Sequence, residues 1–197
     1  MISRLSIAIT ETLYKANVIE ETDRELYIYG FFVLLSHCTF FLVSGLFGIL
    51  LGTPFESVIF YTMFSSLRCY AGGVHASKEM VCTCCTTVAL FLASACISFF
   101  QREDCALIPM CMLALCSVVV YLLCPLDSED KPLSLNELNI YRRKSRMNVF
   151  GIIVLSIIAL PFRLYGLLYA ASTCMTLECI LLIAEKIRRL AKNHDNP

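Results

Sequence analysis

Long apolar stretches alternate with short polar segments along the whole 197-residue chain. Four of the apolar stretches contain no Asp, Glu, Lys or Arg, namely residues 27–55, 81–101, 105–126 and 147–162. Runs of about twenty apolar residues are long enough to cross the roughly 30 Å hydrocarbon core of a bilayer as α-helices. The pattern therefore predicts an all-α, polytopic membrane helix bundle that forms a single integral-membrane domain over residues 1–197.

Polar flanks divide the apolar sequence into about six hydrophobic segments. The second segment is too short to cross the bilayer at about 1.5 Å per residue unless it continues into the glycine turn that follows, so we interpret it as a short or re-entrant segment beside a polar cavity. Residues 1–25 precede the segments and repeat apolar residues at helical spacing, which predicts an amphipathic helix along the membrane surface. The six segments cover approximately residues 26–51, 55–67, 80–100, 105–124, 148–162 and 167–184.

The distribution of positive charge predicts the orientation in the membrane. The net charge is zero, so the overall charge gives no indication of a nucleic-acid partner. If the chain starts in the cytoplasm and crosses six times, only Arg102 and Arg163 of its 16 lysines and arginines lie outside. The positive-inside rule then predicts that both termini, a turn over residues 68–82 and a basic loop over residues 125–147 are cytoplasmic.

The 12 cysteines do not follow the pattern of a disulfide framework or a metal site. Most of them fall within or at the edge of apolar segments, where cysteine behaves as a small hydrophobic residue. The cluster Cys82-Thr83-Cys84-Cys85 has no second Cys/His pair at ligand spacing. We therefore expect no metal and no other cofactor.

The turn over residues 68–82 combines a histidine, a cysteine and two glycines between two apolar runs. A cysteine nucleophile needs a base that generates the thiolate and donors that stabilise an oxyanion, and His75, Cys82 and the glycine backbone supply these groups. A continuous helix would separate His75 and Cys82 by about 10 Å, so a working pair requires the turn to fold back. Gly72 and Gly73 permit such a turn, with Cys82 in the first turn of the third span. Taken alone, this spacing also arises by chance in a cysteine-rich chain.

Two further features place charge in unusual positions. Glu178 lies inside the last apolar segment, where an ionisable group usually faces the interior of a bundle, and we expect it to make a functional or packing contact. In the basic loop, Ser134 and Glu137 form a capping-box pattern ahead of a short helix and a run of Arg and Lys. We interpret that run either as an anchor on anionic lipid or as a docking surface for an acidic peptide.

Seven residues of the turn form a recognisable motif, which consists of Arg68, Ala71, Gly72, Gly73, His75, Ala76 and Cys82. This motif resembles that of the accessory gene regulator B (AgrB) family, which comprises bacterial membrane cysteine endopeptidases. The resemblance extends to the chain length, the pattern of six segments and a basic-proline pair, Lys131-Pro132. It implies a multi-pass protein of a bacterial cell membrane.

The resemblance also implies a reaction. Such a protease cleaves the C-terminal part of a small AgrD-like propeptide and holds the remainder as a thioester on Cys82, and an internal cysteine or serine of the peptide then closes a thiolactone or lactone ring. The product becomes a quorum-sensing signal. His75 would be the general base and later the general acid. Arg68 would bind a substrate carboxylate or order the turn, and backbone amides of Gly72 and Gly73 would stabilise the oxyanion.

Several points stay open at the level of sequence. The candidates for a third catalytic group are Glu79, Glu56 and Ser77, and a plain dyad is equally compatible with the motif. The expected partners are the propeptide, membrane lipid and a second copy of the chain in a homodimer. Two other functions also fit the pattern, namely a small transporter or channel that exports a peptide, with His75 and Glu178 lining the path, and a purely structural membrane partner.

Overall fold

The computed structural model describes residues 2–72, 79–126 and 135–195, with the side chains of 79, 135, 136 and 192–195 excepted. These ranges contain seven α-helices, a 3-10 turn over Glu21–Asp23 and no β-strand. The all-α fold predicted from the sequence is confirmed. The helices are α1 (Ile2–Lys15), α2 (Arg24–Leu51), α3 (Pro54–Ala71), α4 (Glu79–Glu103), α5 (Leu107–Leu123), α6 (Leu135–Ala159) and α7 (Tyr165–Asp195).

The chain forms two compact units, residues 1–43 and residues 44–197. In the first unit, Arg24 at the start of α2 forms a salt bridge with Glu11 of α1 and a second one, at 3.1 Å, with Glu21. The Arg24 guanidinium also lies 5.8 Å from the centre of the Tyr14 ring. These contacts fix the polar end of α1 against the start of α2.

The amphipathic helix predicted within residues 1–25 is present as α1. Its fully buried residues are the polar Ser6 and Thr10. Their hydroxyls donate hydrogen bonds to backbone carbonyls of the same helix at 2.9 Å. Leu5 and Ile7 are instead about half exposed. An exposed apolar face on a helix with a charged end suits contact with a membrane surface.

Helix α7 is the centre of the second unit, because it packs against α3, α4, α5 and α6. Of its most apolar 18-residue window, 61% is buried, compared with 22% for the corresponding window of α4. Small residues let neighbouring helices approach closely in lipid, where packing rather than water expulsion drives association. The fully buried small residues of α7 are Ala170, Ala171, Ser172 and Cys174.

Three of the described helices are long and apolar enough to cross a membrane, over Glu21–Leu51, Met80–Glu103 and Tyr165–Ala191. Leu107–Leu123 is a shorter apolar helix. Helix α3 continues into the predicted glycine turn and ends at Ala71, so its 18 residues extend over about 27 Å. That length is close to the thickness of a hydrocarbon core.

The basic segments differ from the sequence prediction in their local structure. Residues 135–147, which were expected to belong to a loop containing a short helix, form the first half of α6 and continue without a break into the fifth apolar segment. Likewise, α7 extends through the basic segment 186–192. No glycine or proline interrupts either transition, and Leu, Lys, Arg and Glu are all good helix formers.

The corner between α2 and α3 is closed by polar contacts and by one glycine. The Ser44 hydroxyl donates a hydrogen bond to the Ser57 carbonyl at 2.7 Å, so the two helices are joined by a buried polar contact. A Cβ atom on Gly48 would lie 2.7 Å from the Pro54 Cα and 2.8 Å from the Thr53 carbonyl oxygen. Because both neighbours are backbone atoms, a side chain at Gly48 requires the corner itself to move.

We expect Gly48→Ala to destabilise the protein and Gly45→Ala to leave its stability unchanged or slightly raised. A Cβ on Gly45 would make an ordinary 3.6 Å contact with Val58, whereas at Gly48 overpacking costs about 1–3 kcal/mol. The measurement is the midpoint of thermal unfolding of each purified variant in detergent. Equal midpoints for the two variants would contradict the tight corner.

Candidate functional site

Cys82 lies in the first turn of α4, where the sequence predicted it. Its side chain is partly exposed, and the neighbouring Cys84 and Cys85 are exposed. Cys82 is therefore an accessible thiol at the N-terminal end of a helix.

Arg68 lies in the last turn of α3 and is partly buried. Its Nη1 atom is 3.9 Å from Oε2 of Glu178, which is completely buried in α7. The same nitrogen donates a hydrogen bond to the Gly72 carbonyl oxygen at 3.2 Å. One guanidinium thus connects the central helix of the bundle to the first residues of the turn.

The sequence analysis singled out Glu178 but named no partner for it. Neither oxygen of its carboxylate accepts a hydrogen bond from the part of the chain that the structure describes. A charge removed from water is costly, and an opposite charge nearby offsets part of that cost. Arg68 supplies this charge from 110 positions earlier in the chain. Two ionisable residues on the interior faces of apolar helices are the sequence signal that could have suggested the pair.

Gly72 ends α3 in a conformation that other residues rarely adopt, with φ of +78°. It pairs with Leu126 in a single parallel bridge, in which the Leu126 amide donates a hydrogen bond to the Ala71 carbonyl at 3.0 Å. A Cβ atom on Gly72 would lie only 2.2 Å from the Leu126 carbonyl oxygen. Both the backbone angle and the close approach explain why glycine is required here.

Some of the remaining predicted site residues lie within the described ranges and others lie outside them. Gly73, His75 and Ser77 lie outside them, so the pairing of His75 with Cys82 stays a prediction. Glu79 is the first residue of α4. Glu56 lies in the first turn of α3, where its carboxylate lies next to Gly166. It is separated from Arg68 by about 18 Å along the helix axis, at the other end of α3.

An apolar cavity of about 520 Å³ lies between α4, α5 and α7. Along α4 it is lined by Cys85, Ala89, Leu92 and Cys96, which recur at helical spacing. Cys82 precedes Cys85 by three residues and therefore lies on the same face of the helix. The cavity thus begins about one helical turn from Cys82 and extends along the apolar part of α4.

Comparison with known proteins agrees with the motif. The accessory gene regulator B family matches residues 6–183 of this chain. An AgrB-like protein of Clostridium perfringens strain SM101 (Type A) is 26% identical over 166 residues, which cover 80% of this chain and 73% of the relative. The AgrB-like protein 2 of Clostridium perfringens strain 13 (Type A) is 26% identical over 202 residues, with 91% and 92% coverage. No solved structure matches the chain.

The family match covers most of the chain, including Arg68, Gly72, Cys82 and Glu178. The all-α architecture and the membrane-length apolar helices agree with it. The chain therefore belongs to the accessory gene regulator B family of membrane proteins, which process quorum-sensing propeptides.

Proposed function

We propose that this protein is a membrane cysteine endopeptidase that cleaves an AgrD-like propeptide through a thioester on Cys82. The observation that carries the proposal is the position of Cys82, a partly exposed thiol in the first turn of α4. The residues that immediately precede α4 contain His75, and the start of that turn is fixed by contacts of Arg68 and Gly72. A nucleophile, a base and an anchored turn are then close in the chain.

In the proposed reaction, His75 accepts the proton of the Cys82 thiol, and the sulfur attacks the scissile carbonyl of the propeptide. The tetrahedral intermediate collapses as the C–N bond breaks, and His75 returns the proton to the leaving amine. The N-terminal part of the peptide stays on Cys82 as a thioester. An internal thiol or hydroxyl of the peptide then gives its proton to His75 and attacks the thioester carbonyl. The C–S bond to Cys82 breaks, the ring forms, and the released Cys82 thiolate takes the proton back from His75.

The apolar cavity beside Cys82 supports the cyclising outcome. A thioester retains much of the activation of the original acyl group, so ring closure competes with hydrolysis and is favoured where water is excluded. The cavity walls are formed by aliphatic side chains, cysteines and threonines, with no charged residue among those that line it. The apolar side chains next to the cleaved bond would occupy this space in the acyl-enzyme.

The proposed orientation places both termini and the turn in the cytoplasm, because that arrangement leaves only Arg102 and Arg163 outside. The cytoplasm is reducing, which keeps a catalytic thiol free. The substrate would approach from the side of the membrane on which it is synthesised. A second copy of the chain and the surrounding lipid are proposed as further partners.

A peptide-exporting transporter is the alternative function. The pair of Arg68 and the completely buried Glu178 favours it, because charges within apolar helices often mark a transport path. The two functions differ in the role of Cys82, which is chemical in the endopeptidase and incidental in the transporter.

The first prediction of the endopeptidase function concerns the nucleophile. Incubation of the wild type or Cys84→Ala in lipid with a synthetic AgrD-like propeptide is expected to give a covalent peptide adduct, which intact-mass spectrometry detects. Cys82→Ala is expected to give neither adduct nor cleavage, because no other thiol occupies the first turn of α4. Cleavage by Cys82→Ala would exclude this residue as the nucleophile. Transport without cleavage by both variants would support the transporter.

The second prediction concerns Glu178. We expect Glu178→Gln to lower the rate of adduct formation by about tenfold or more, which corresponds to about 1.4 kcal/mol in the barrier, because Arg68 loses the charge that holds it between α7 and Gly72. Glu185→Gln is the matched control. Glu185 is also buried in α7, but it bonds to Arg188 and Arg189 at 3.0 and 3.1 Å.

The rates are measured by quenched time courses at saturating propeptide, alongside thermal unfolding of both variants. Arg68→Lys should also react more slowly than the wild type, because both contacts are made by the terminal Nη1 atom and the shorter lysine side chain places its ammonium differently. Equal rates for Glu178→Gln and Glu185→Gln would contradict a role of the Arg68–Glu178 pair in positioning the turn.

The third prediction compares two glycines with nearly the same backbone angle. Gly72 and Gly52 have φ of +78° and +79°, but only Gly72 has a backbone neighbour where a Cβ would lie. Gly52→Ala should cost about 1–2 kcal/mol of stability and keep adduct formation near the wild-type rate. Gly72→Ala should abolish adduct formation, because Leu126 must move away. Normal adduct formation by Gly72→Ala would refute the requirement for this bridge.

A further inference from the structure

A second cavity, of about 480 Å³, lies between the C-terminal end of α5 and the first half of α6. It differs from the apolar cavity beside α4 in its charge, because most of its polar lining residues are cationic. The cavity is here called the arginine pocket, and its lining residues are Tyr121, Asn139, Arg142, Arg143, Arg146, Met147 and Phe150.

The cationic part of the arginine pocket consists of three guanidinium groups within two turns of α6. Arg142, Arg143 and Arg146 are spaced so that they share one face of the helix. None of them forms a salt bridge with a carboxylate in the ranges 2–72, 79–126 and 135–195. The lining contains no acidic residue either. Three positive charges are therefore concentrated without an anion from the described chain.

Arg146 is held in place by an aromatic ring. Its guanidinium lies 4.5 Å from the centre of the Tyr121 ring, within the range of a cation–π contact. Its Nε atom is shielded from solvent and donates no hydrogen bond to the described residues. A planar guanidinium fixed in this way is pre-organised to bind phosphate oxygens in a bidentate manner.

The apolar part of the arginine pocket follows directly along the same face of α6. Met147 and Phe150 are 62% and 69% exposed, and they begin the charge-free stretch of residues 147–162. Arg146 is thus the last charged residue before α6 becomes apolar. The face changes from cationic to apolar within about one helical turn, which is the change expected where a helix enters the hydrocarbon core.

We propose that the arginine pocket binds an anionic phospholipid, with the phosphate headgroup on Arg142, Arg143 and Arg146 and the start of an acyl chain along Met147 and Phe150. The ligand is identified by its two chemistries, because an anionic head and an apolar tail match the cationic and apolar halves of the same helix face. An acidic peptide would match the first half but would leave the exposed Met147 and Phe150 without an apolar partner.

The test uses the full chain, purified in detergent and titrated with phosphatidylglycerol or phosphatidylcholine of the same acyl chains, with bound lipid counted by native mass spectrometry. We expect the wild type to prefer phosphatidylglycerol. In Arg142→Gln/Arg143→Gln/Arg146→Gln, affinity for phosphatidylglycerol should fall by about one order of magnitude or more, since each cation near a lipid headgroup contributes substantially to binding.

The matched control is Arg4→Gln/Lys15→Gln/Lys186→Gln, which removes three positive charges from exposed positions elsewhere. It should keep the preference of the wild type. The single variant Arg142→Gln, at an exposed position, should show an intermediate loss and guards against misfolding of the triple variant. Phe150→Ser should weaken binding of phosphatidylglycerol and keep the preference over phosphatidylcholine, because only the acyl chain contacts Phe150.

Three outcomes would overturn the proposal. The first is equal retention of phosphatidylglycerol by the arginine triple variant and the control triple variant. The second is displacement of the lipid by inorganic phosphate at equal concentration, which would make the pocket a site for the free anion. The third is displacement by a short acidic peptide that fails to compete in the arginine variant, which would make it a peptide site. None of these readouts depends on proteolytic activity.

Discussion

A carboxylate that is completely removed from water requires a positive charge nearby, and Glu178 finds it in Arg68 at 3.9 Å. The requirement links α7, the most buried helix of the second unit, to the last turn of α3. Arg68 also binds the Gly72 carbonyl, so the residue that offsets part of the cost of burying Glu178 also fixes the first residues of the polar turn. Helix packing and the start of the turn therefore depend on the same guanidinium.

This coupling explains how a polar turn can have a defined starting geometry at the edge of an apolar bundle. Backbone groups in an apolar bundle need protein partners where water is scarce. Two carbonyls at the end of α3 have such partners, because Arg68 donates a hydrogen bond to Gly72 and the Leu126 amide donates one to Ala71.

The helices were predictable because hydrophobic patterning is local, and so was the place of Cys82 in the first turn of α4. The Arg68–Glu178 pair was not predicted, because its members are far apart in the chain. The spacing of apolar residues does not indicate which helices are neighbours. The continuity of α6 was not predicted, because a run of Arg and Lys indicates a loop when helices are predicted from apolar segments alone. Of the predicted dyad, only Cys82 lies in the described ranges.

The bridge between Gly72 and Leu126 couples two distant parts of the chain. Gly72 leads into residues 73–78, which carry His75, and Leu126 leads into residues 127–134, which carry the Lys131-Pro132 pair. Two segments more than fifty positions apart thus depart from one hydrogen-bonded junction. A shift of the Leu126 backbone would therefore also shift Gly72, the residue from which the first segment starts. A sequence change beside Leu126 is thus expected to act on a residue that lies far away in the chain.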